Sequence, residues 1–175
     1  MSLIETNDLF GDRLDLSIAE DFHRISNSQF VLQWMDDWEM TLEQVKNLLT
    51  YFMRGYEVKD PEKAPYIFGI WHKETKRFIG ICGFGPKDEL GGEAEIAYFL
   101  DEQYANKGYM SQFVKKAIGF YFDMTNKPYI SAMVDEKNLP SKKLLDKMGF
   151  VFHVVHDPSG CLKSHYRLSR KSFSL

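Results

Sequence analysis

The sequence is short of most features that would narrow its function at a glance. It has two cysteines, Cys82 and Cys161. That is too few for a disulfide framework, and it reads as reduced thiols of a cytoplasmic protein. No run approaches the ~20 apolar residues of a membrane span, so no membrane partner is expected. The opening segment MSLIETNDLF carries acids and no long apolar run, so no signal peptide is expected. There is no basic excess: 22 Lys and Arg stand against 25 Asp and Glu, for a net charge of −3. That balance argues against a nucleic-acid partner. A G-x-x-x-x-G-K-[ST] loop is missing. GFGPKD (83–88) holds two of the three dinucleotide glycines, but Asp88 stands where the third belongs and no helix follows. With no repeats, low-complexity tracts or Pro/Gly/Ser-rich linkers, 1–175 reads as a single domain.

What is present is a patterned chain, 44% apolar and 15% aromatic, with enough apolar side chains for one core. RLDLSI (13–18) alternates as a strand does, and 18–28 reads as a short helix. A firmer helix covers 41–52: Thr41 and Gln44 fit a capping box, and Leu42, Val45, Leu48, Leu49 and Phe52 form one stripe. YIFGIW (66–71) and RFIGICGF (77–84) flank a polar turn and predict a hairpin. EAEIAYFL (93–100) is a strand, 111–124 a helix, YISAMV (129–134) a strand and 141–148 a helix closed by Gly149. Residues 150–156 and 163–169 are the last two strands. The fold class expected is α/β (α+β): a mixed, mostly antiparallel sheet of about seven strands with helices on both faces.

The segment YANKGYMSQF (104–113) sets Asn, Lys and Gly between an apolar strand and a long helix. A helix N-terminus leaves free N–H groups and carries roughly +0.5 charge, so a phosphate placed there needs no dedicated side chain. Gly108 lets the backbone approach closely, and Asn106 tolerates left-handed geometry. Ser111 can cap the helix or touch a phosphate oxygen, and Lys107 adds a cation. The same residues also suit a plain strand-to-helix turn.

Taken together, these residues resemble the Gcn5-related N-acetyltransferase (GNAT) family. Within it they resemble the Rim-type branch, which acetylates ribosomal-protein N-termini. The family pattern Q/R-x-x-G-x-G/A falls on Ala105 to Met110, where Gly108 alone matches fully. The Rim-type segment YxGKGYM is closer to Tyr104–Met110. EIAYFL (95–100) resembles E-I-G-Y-W-L, and Asn138 to Ser141 followed by LLDKMGF (144–150) resembles N-x-x-S…L-x-K-x-G-F. The chain departs from the pattern at Ala105, which lacks the usual Gln or Arg, and at Asn106, which replaces a common Gly. Leu145 stands where many members carry a Tyr that is proposed to protonate the leaving thiolate.

The resemblance implies a GNAT-like acyl-CoA acyltransferase fold, acetyl-CoA as the donor and a primary amine as the acceptor, either a small molecule or a protein N-terminus. The strands at 93–100 and 129–134 would splay around the pantetheine arm, with main-chain groups of Phe99 and Leu100 pairing with it. The pyrophosphate would sit on Asn106, Lys107, Gly108, Tyr109, Met110 and Ser111. Asn138 would contact the pantetheine or hold the next helix. Ser141 would lie near the sulfur or cap that helix, and Lys142 would reach the adenosine phosphate or lie in solvent.

An amino-terminal amine has a pKa of about 7.7–8.0, so a base helps, and Glu95 is the candidate; as a strand carboxylate it could equally be solvated. Oligomeric state is left open, a homodimer included. Tyr104 and Tyr109 flank the cradle as packing residues or proton donors. Trp34, Trp38 and Trp71 read as core, with parts of 30–56 lining an acceptor cleft. His153, His156, Cys161 and His165 have metal-ligating chemistry, but spacing on one strand sets His153 and His156 on opposite faces, so no metal is expected. A non-catalytic acyl-CoA-binding module and an aminoacyl-tRNA-dependent transferase are the competing readings. The latter needs a basic groove that the net charge does not favour.

Overall fold

The computed structural model describes residues 2–35, 38–156 and 162–173, with the main chain alone at His156. One eight-stranded sheet runs through the molecule in the order β1-β2-β3-β4-β5-β6-β8-β7. Its strands are β1 (Ile4–Glu5), β2 (Leu9–Arg13), β3 (Tyr66–His72), β4 (Phe78–Lys87), β5 (Glu93–Leu100), β6 (Tyr129–Asp135), β7 (Val151–His156) and β8 (Lys163–Ser169). Every neighbouring pair is antiparallel except β5 with β6. The two-residue β1 makes the count eight rather than seven.

Helices cover both faces, as the alternating strands require. On one face lie α1 (Ala19–Ser26), α2 (Gln29–Leu32) and α3 (Leu42–Val58). Phe22, Val45 and Leu49 pack there with Ile67, Phe78 and Phe99. On the other face lie α4 (Tyr109–Met124) and α5 (Leu139–Met148). Phe113, Val114 and Ile118 of α4 meet Phe68, Phe84 and Ile130 with no exposed surface. Each such side chain contributes about 1.5–3 kcal/mol of burial.

Several elements follow the sequence pattern closely. Thr41 and Gln44 form the reciprocal capping box at the start of α3. α5 ends as a Schellman motif, with the Phe150 N–H on the Leu145 carbonyl and the Gly149 N–H on that of Asp146. Gly149 has φ 87°, which favours glycine.

Others differ from expectation. RLDLSI is not a strand: β2 stops at Arg13, and Leu16–Ile18 form a 3₁₀ turn capped by Asp15. The reason is tertiary. The Leu14 N–H donates to the Tyr56 hydroxyl at 2.8 Å, and that hydroxyl donates to the Ile67 carbonyl at 2.5 Å. The peptide at Leu14 therefore pairs with a side chain of α3 rather than a strand, and burial pushes the Tyr56 phenol up to about 12. α3 runs six residues past Phe52, and β4 continues to Lys87, which pairs with Glu93. α5 starts at Leu139 because Asn138 caps it and Pro140 is tolerated in a first turn.

Candidate functional site

β5 and β6 share a single register pair, Glu95↔Ser131. Beyond it the Met133 N–H, which a parallel ladder would hand to a β5 carbonyl, donates instead to Glu95 Oε1 at 3.1 Å. The strands part there, and the edge of β5 from Ile96 to Leu100 carries no β6 register partner.

A cavity of about 590 Å³ borders the end of that edge. Tyr98, Phe99 and Leu100 form its β5 wall, and Asn138, Ser141 and Leu144 its α5 wall. Phe30, Val31, Trp34 and Met35 close one side, and Asn106, Gly108, Tyr109, Met110 and Ser111 close the end.

That end is built by the chain between β5 and α4. The Asp101 N–H donates to the Ile79 carbonyl at 2.7 Å, and the Asp101 carboxylate accepts from Gln103 N and from Arg24 at 2.8 Å. A 3₁₀ turn follows over Glu102–Tyr104. Asn106 and Gly108 are both left-handed, at φ 59° and 76°. Gly108 is the N-cap of α4, and no side chain caps that helix. Its first N–H groups therefore keep their hydrogen-bonding capacity. A Cβ built on Gly108 would meet nothing within 4 Å. Glycine is needed here for its φ, and the space above it is open to a ligand. Ser111 lies inside the first turn and does not act as the cap.

The side chains around this end were only partly foreseen. Lys107 is exposed, with its ammonium 5.4 Å from the centre of the Tyr104 ring, and it does not line the cavity. Tyr104 and Tyr109 pack on the ring of His72, at 5.5 and 5.6 Å, and the Tyr109 hydroxyl lies 3.3 Å from His72 Nε2. Lys142 pairs with Glu136 at 2.9 Å and is neither solvated nor turned to the cavity. The cations that do line the cavity are Lys143 and Lys147. Their i,i+4 spacing, in step with Pro140 and Leu144, was the sequence signal for one cavity-facing side of α5.

At the β5–β6 gap three polar groups stand out. Glu95 is not among the cavity-lining residues. Its side chain is 17% exposed, with Lys87 Nζ 3.9 Å from Oε2. Burial pushes its carboxyl up to about 7, with the Lys87 charge and the Met133 N–H pulling the other way. That value suits a base working near neutral pH. On the opposite face of β5 the Tyr98 hydroxyl lies 2.7 Å from Ser141 Oγ. Ser141 is not the cap of α5, because Asn138 Oδ1 takes the Ser141 N–H at 3.1 Å. Nothing in the strand EAEIAYFL singles out Tyr98 for this contact, which joins residues 43 apart.

The remaining candidates fall away from the cavity. Leu145 is 1% exposed within the core. Cys82 is fully buried, and burial pushes its thiol up, so it is no nucleophile. Trp71 stacks on Phe10 at 5.6 Å, and Trp38 packs against the α1–α3 core, as expected of core rings. Trp34 instead lines the cavity. Cys161 and the His156 side chain lie outside the described residues. Among the described residues no three His, Cys, Asp or Glu side chains gather as a metal site would need, and no helix is long and apolar enough to cross a membrane.

Comparison with known proteins bears on the family and the fold. A family model described as "Acetyltransferase (GNAT) domain" matches residues 13–151. Uncharacterized N-acetyltransferase p20 of Bacillus licheniformis is 42% identical over 83 residues, 47% of each chain. The match thus spans about half of that relative's length. "Probable N-acetyltransferase YjcK" of Bacillus subtilis (strain 168) is 32% identical over 70% of this chain and 65% of its own. Among solved structures, RimL, a ribosomal L7/L12 alpha-N-protein acetyltransferase in complex with coenzyme A, superposes with a TM-score of 0.83 at 15% identity, covering 98% of this chain and 99% of its own. Microcin C7 self immunity acetyltransferase MccE, in complex with acetyl-CoA and AMP, superposes with a TM-score of 0.77 at 17% identity, covering 94% and 93%. At such identities the superpositions establish the fold.

Proposed function

This chain belongs to the GNAT acetyltransferase family, and we propose that it is an N-acetyltransferase that moves the acetyl group of acetyl-CoA to a primary amine by direct attack in a ternary complex. The observation that carries the reading is the parted β5–β6 edge, which opens into a cavity ending at the uncapped N-terminus of α4. An acyl-CoA fits both ends. Main-chain groups along the β5 edge at Phe99 and Leu100 would hold the pantetheine amides as an added strand would. The N–H groups from Lys107 to Ser111 would hold the pyrophosphate, with Asn106 and Gly108 shaping their approach. Asn138 holds the α5 wall, and Lys143 and Lys147 supply cations for the phosphorylated end. RimL and MccE, which share the fold, hold coenzyme A and acetyl-CoA. The whole of 1–175 serves as one acetyltransferase domain.

The acceptor is a protein N-terminus, in the manner of the Rim-type branch, or a small amine. Glu95 removes a proton from its ammonium, directly or through a water, and leaves a neutral nucleophile. A β5 main-chain N–H faces the oxygen on which charge develops, and placement of the two reactants supplies much of the acceleration. Titration calorimetry with acetyl-CoA, followed by thiol release over a panel of amino acids, polyamines, aminoglycosides and N-terminal peptides, tests the reading. Micromolar binding with turnover on one amine class is the expected result. No heat at millimolar acetyl-CoA would end it, and binding without turnover on any amine would leave a coenzyme-binding module.

A further inference from the structure

Tyr98 reaches Ser141 across the gap between β5 and the first turn of α5, and both side chains line the cavity. The contact is unlike a core hydrogen bond made for stability. Asn138 already caps α5, so Ser141 Oγ has no capping duty. Leu145, one turn further on, is buried among apolar neighbours and offers no hydroxyl. The Tyr109 hydroxyl is beside His72, at the other end of the cavity. Tyr98 and Ser141 therefore form a hydroxyl pair that bridges β5 and α5 on the cavity wall.

We propose that Tyr98 is a positioning residue. Its hydroxyl donates to Ser141 Oγ and so turns the Ser141 hydrogen into the cavity, towards the sulfur of a bound acyl-CoA. The inference rests on the acyl-CoA reading of the cavity. A serine hydroxyl has one hydrogen and two lone pairs; once Tyr98 occupies a lone pair, the hydrogen is left for another acceptor. The reverse polarity is the weaker arrangement, because a phenol is the better donor and the poorer acceptor. Burial pushes the Tyr98 phenol up, with the Ser141 contact pulling the other way, so it stays protonated at neutral pH.

Side chains alternate along a strand, so Glu95 and Tyr98 point to opposite faces of β5. Glu95 stands at the last β5–β6 register pair and does not line the cavity, so a water between it and the amine carries the proton. Glu95, after passing the ammonium proton to solvent, accepts the second proton that the nitrogen loses as the amide forms. As the nitrogen–carbon bond forms and the carbon–sulfur bond breaks, the electron pair departs with sulfur on the other side, where the Ser141 hydroxyl donates a hydrogen bond to it. An ordinary thiol has a pKa of about 8.5, so the thiolate can leave as such and take its proton from water on release.

The product coenzyme A supplies a test that needs no acceptor. The thiolate absorbs in the ultraviolet, so the thiol of bound coenzyme A can be titrated in the wild type, Tyr98→Phe, Ser141→Ala and the double variant. Calorimetry confirms that each binds coenzyme A, and thermal melts confirm that each folds. In the wild type the bound thiol should titrate about 1 unit below free coenzyme A, the scale of one hydrogen bond to the charged form. Ser141→Ala should abolish that shift, Tyr98→Phe should remove at least half of it, and the double variant should match Ser141→Ala, since coupled residues are non-additive. A shift untouched by Tyr98→Phe, or a wild-type thiol that titrates as free coenzyme A, would overturn the proposal while leaving the acyl-CoA site standing. A wild type that binds no coenzyme A would overturn both.

Discussion

The two ends of the cavity are made of different materials. The α4 end is main chain: two left-handed residues, a glycine cap and a row of amides, all within 106–111. The β5–β6 end is side chain: a hydroxyl from β5 and another from α5, 43 residues apart, meet on the cavity wall, and a β5 carboxylate stands behind them at the last register pair. Main-chain donors in a short loop need few particular side chains, so such an end tolerates Ala105 and Asn106 where relatives of the resembling pattern carry other residues. A constellation of side chains has no such latitude, because each group acts through its own pKa and direction. Damage to the first end should appear in binding, and damage to the second in rate.

The sharpest break in that contrast is Glu95→Gln. It keeps an acceptor for the Met133 N–H and removes only the base. At saturating acetyl-CoA, kcat should fall by about 10²-fold or more, the usual scale of general-base loss, with coenzyme affinity unchanged in calorimetry. The same variant should flatten the pH profile. With Glu95 raised to about 7, the wild-type kcat/KM for the amine should climb as pH rises through about 7, and Glu95→Gln should lack that limb.

Stability should move the opposite way. A carboxyl whose folded pKa is raised binds more protons in the folded state, so its contribution is lost as pH rises from the ordinary carboxylate range through 7. Chemical denaturation at pH 5 and pH 7.5 should show a larger loss in the wild type than in Glu95→Gln.

Next in size is Gly108→Val. A β-branched residue at φ 76° costs of order 1–3 kcal/mol and leaves its side chain in the open space over the cradle. Acetyl-CoA should bind about 10-fold more weakly, while kcat at saturation stays within about 2-fold, given that 1.4 kcal/mol is tenfold. A rate defect without a binding defect would erase the distinction between the two ends. Asn138→Ala should cost about 1 kcal/mol of stability through the lost cap of α5, read as a lowered melting temperature. The smallest effect is expected from Lys107→Ala. Its ammonium lies over the Tyr104 ring rather than in the cavity, so coenzyme affinity should change by less than about 2-fold, the scale of an exposed charge. A larger loss than that of Lys147→Ala would show that the loop cation, and not the amides alone, grips the phosphates.

The same division governs what could be read from the residues in order. The α3 capping box, the Schellman end of α5 and the left-handed Asn106 and Gly108 are all local, so the spacing of a few residues announces them. RLDLSI misled because its alternation is local while the partner of the Leu14 peptide, the Tyr56 hydroxyl, is 42 residues away. The resemblance left Lys142 to an adenosine phosphate or to solvent, whereas Glu136 holds it. Lys143 and Lys147 carry a helical signal that becomes specific only once the cavity-facing side of α5 is known. Nothing in EAEIAYFL says that a serine waits opposite Tyr98.

The order of elements from α3 to β8, the period of those strands and helices, and the turn that frees the α4 amides were determined by the sequence alone, because short-range sterics and hydrogen bonding act over four or five residues. Where β5 and β6 separate, how far burial lifts Glu95 and which hydroxyl meets Ser141 were decided only by the tertiary structure. Desolvation and side-chain contact depend on distance in space, which the spacing of residues along a chain does not encode.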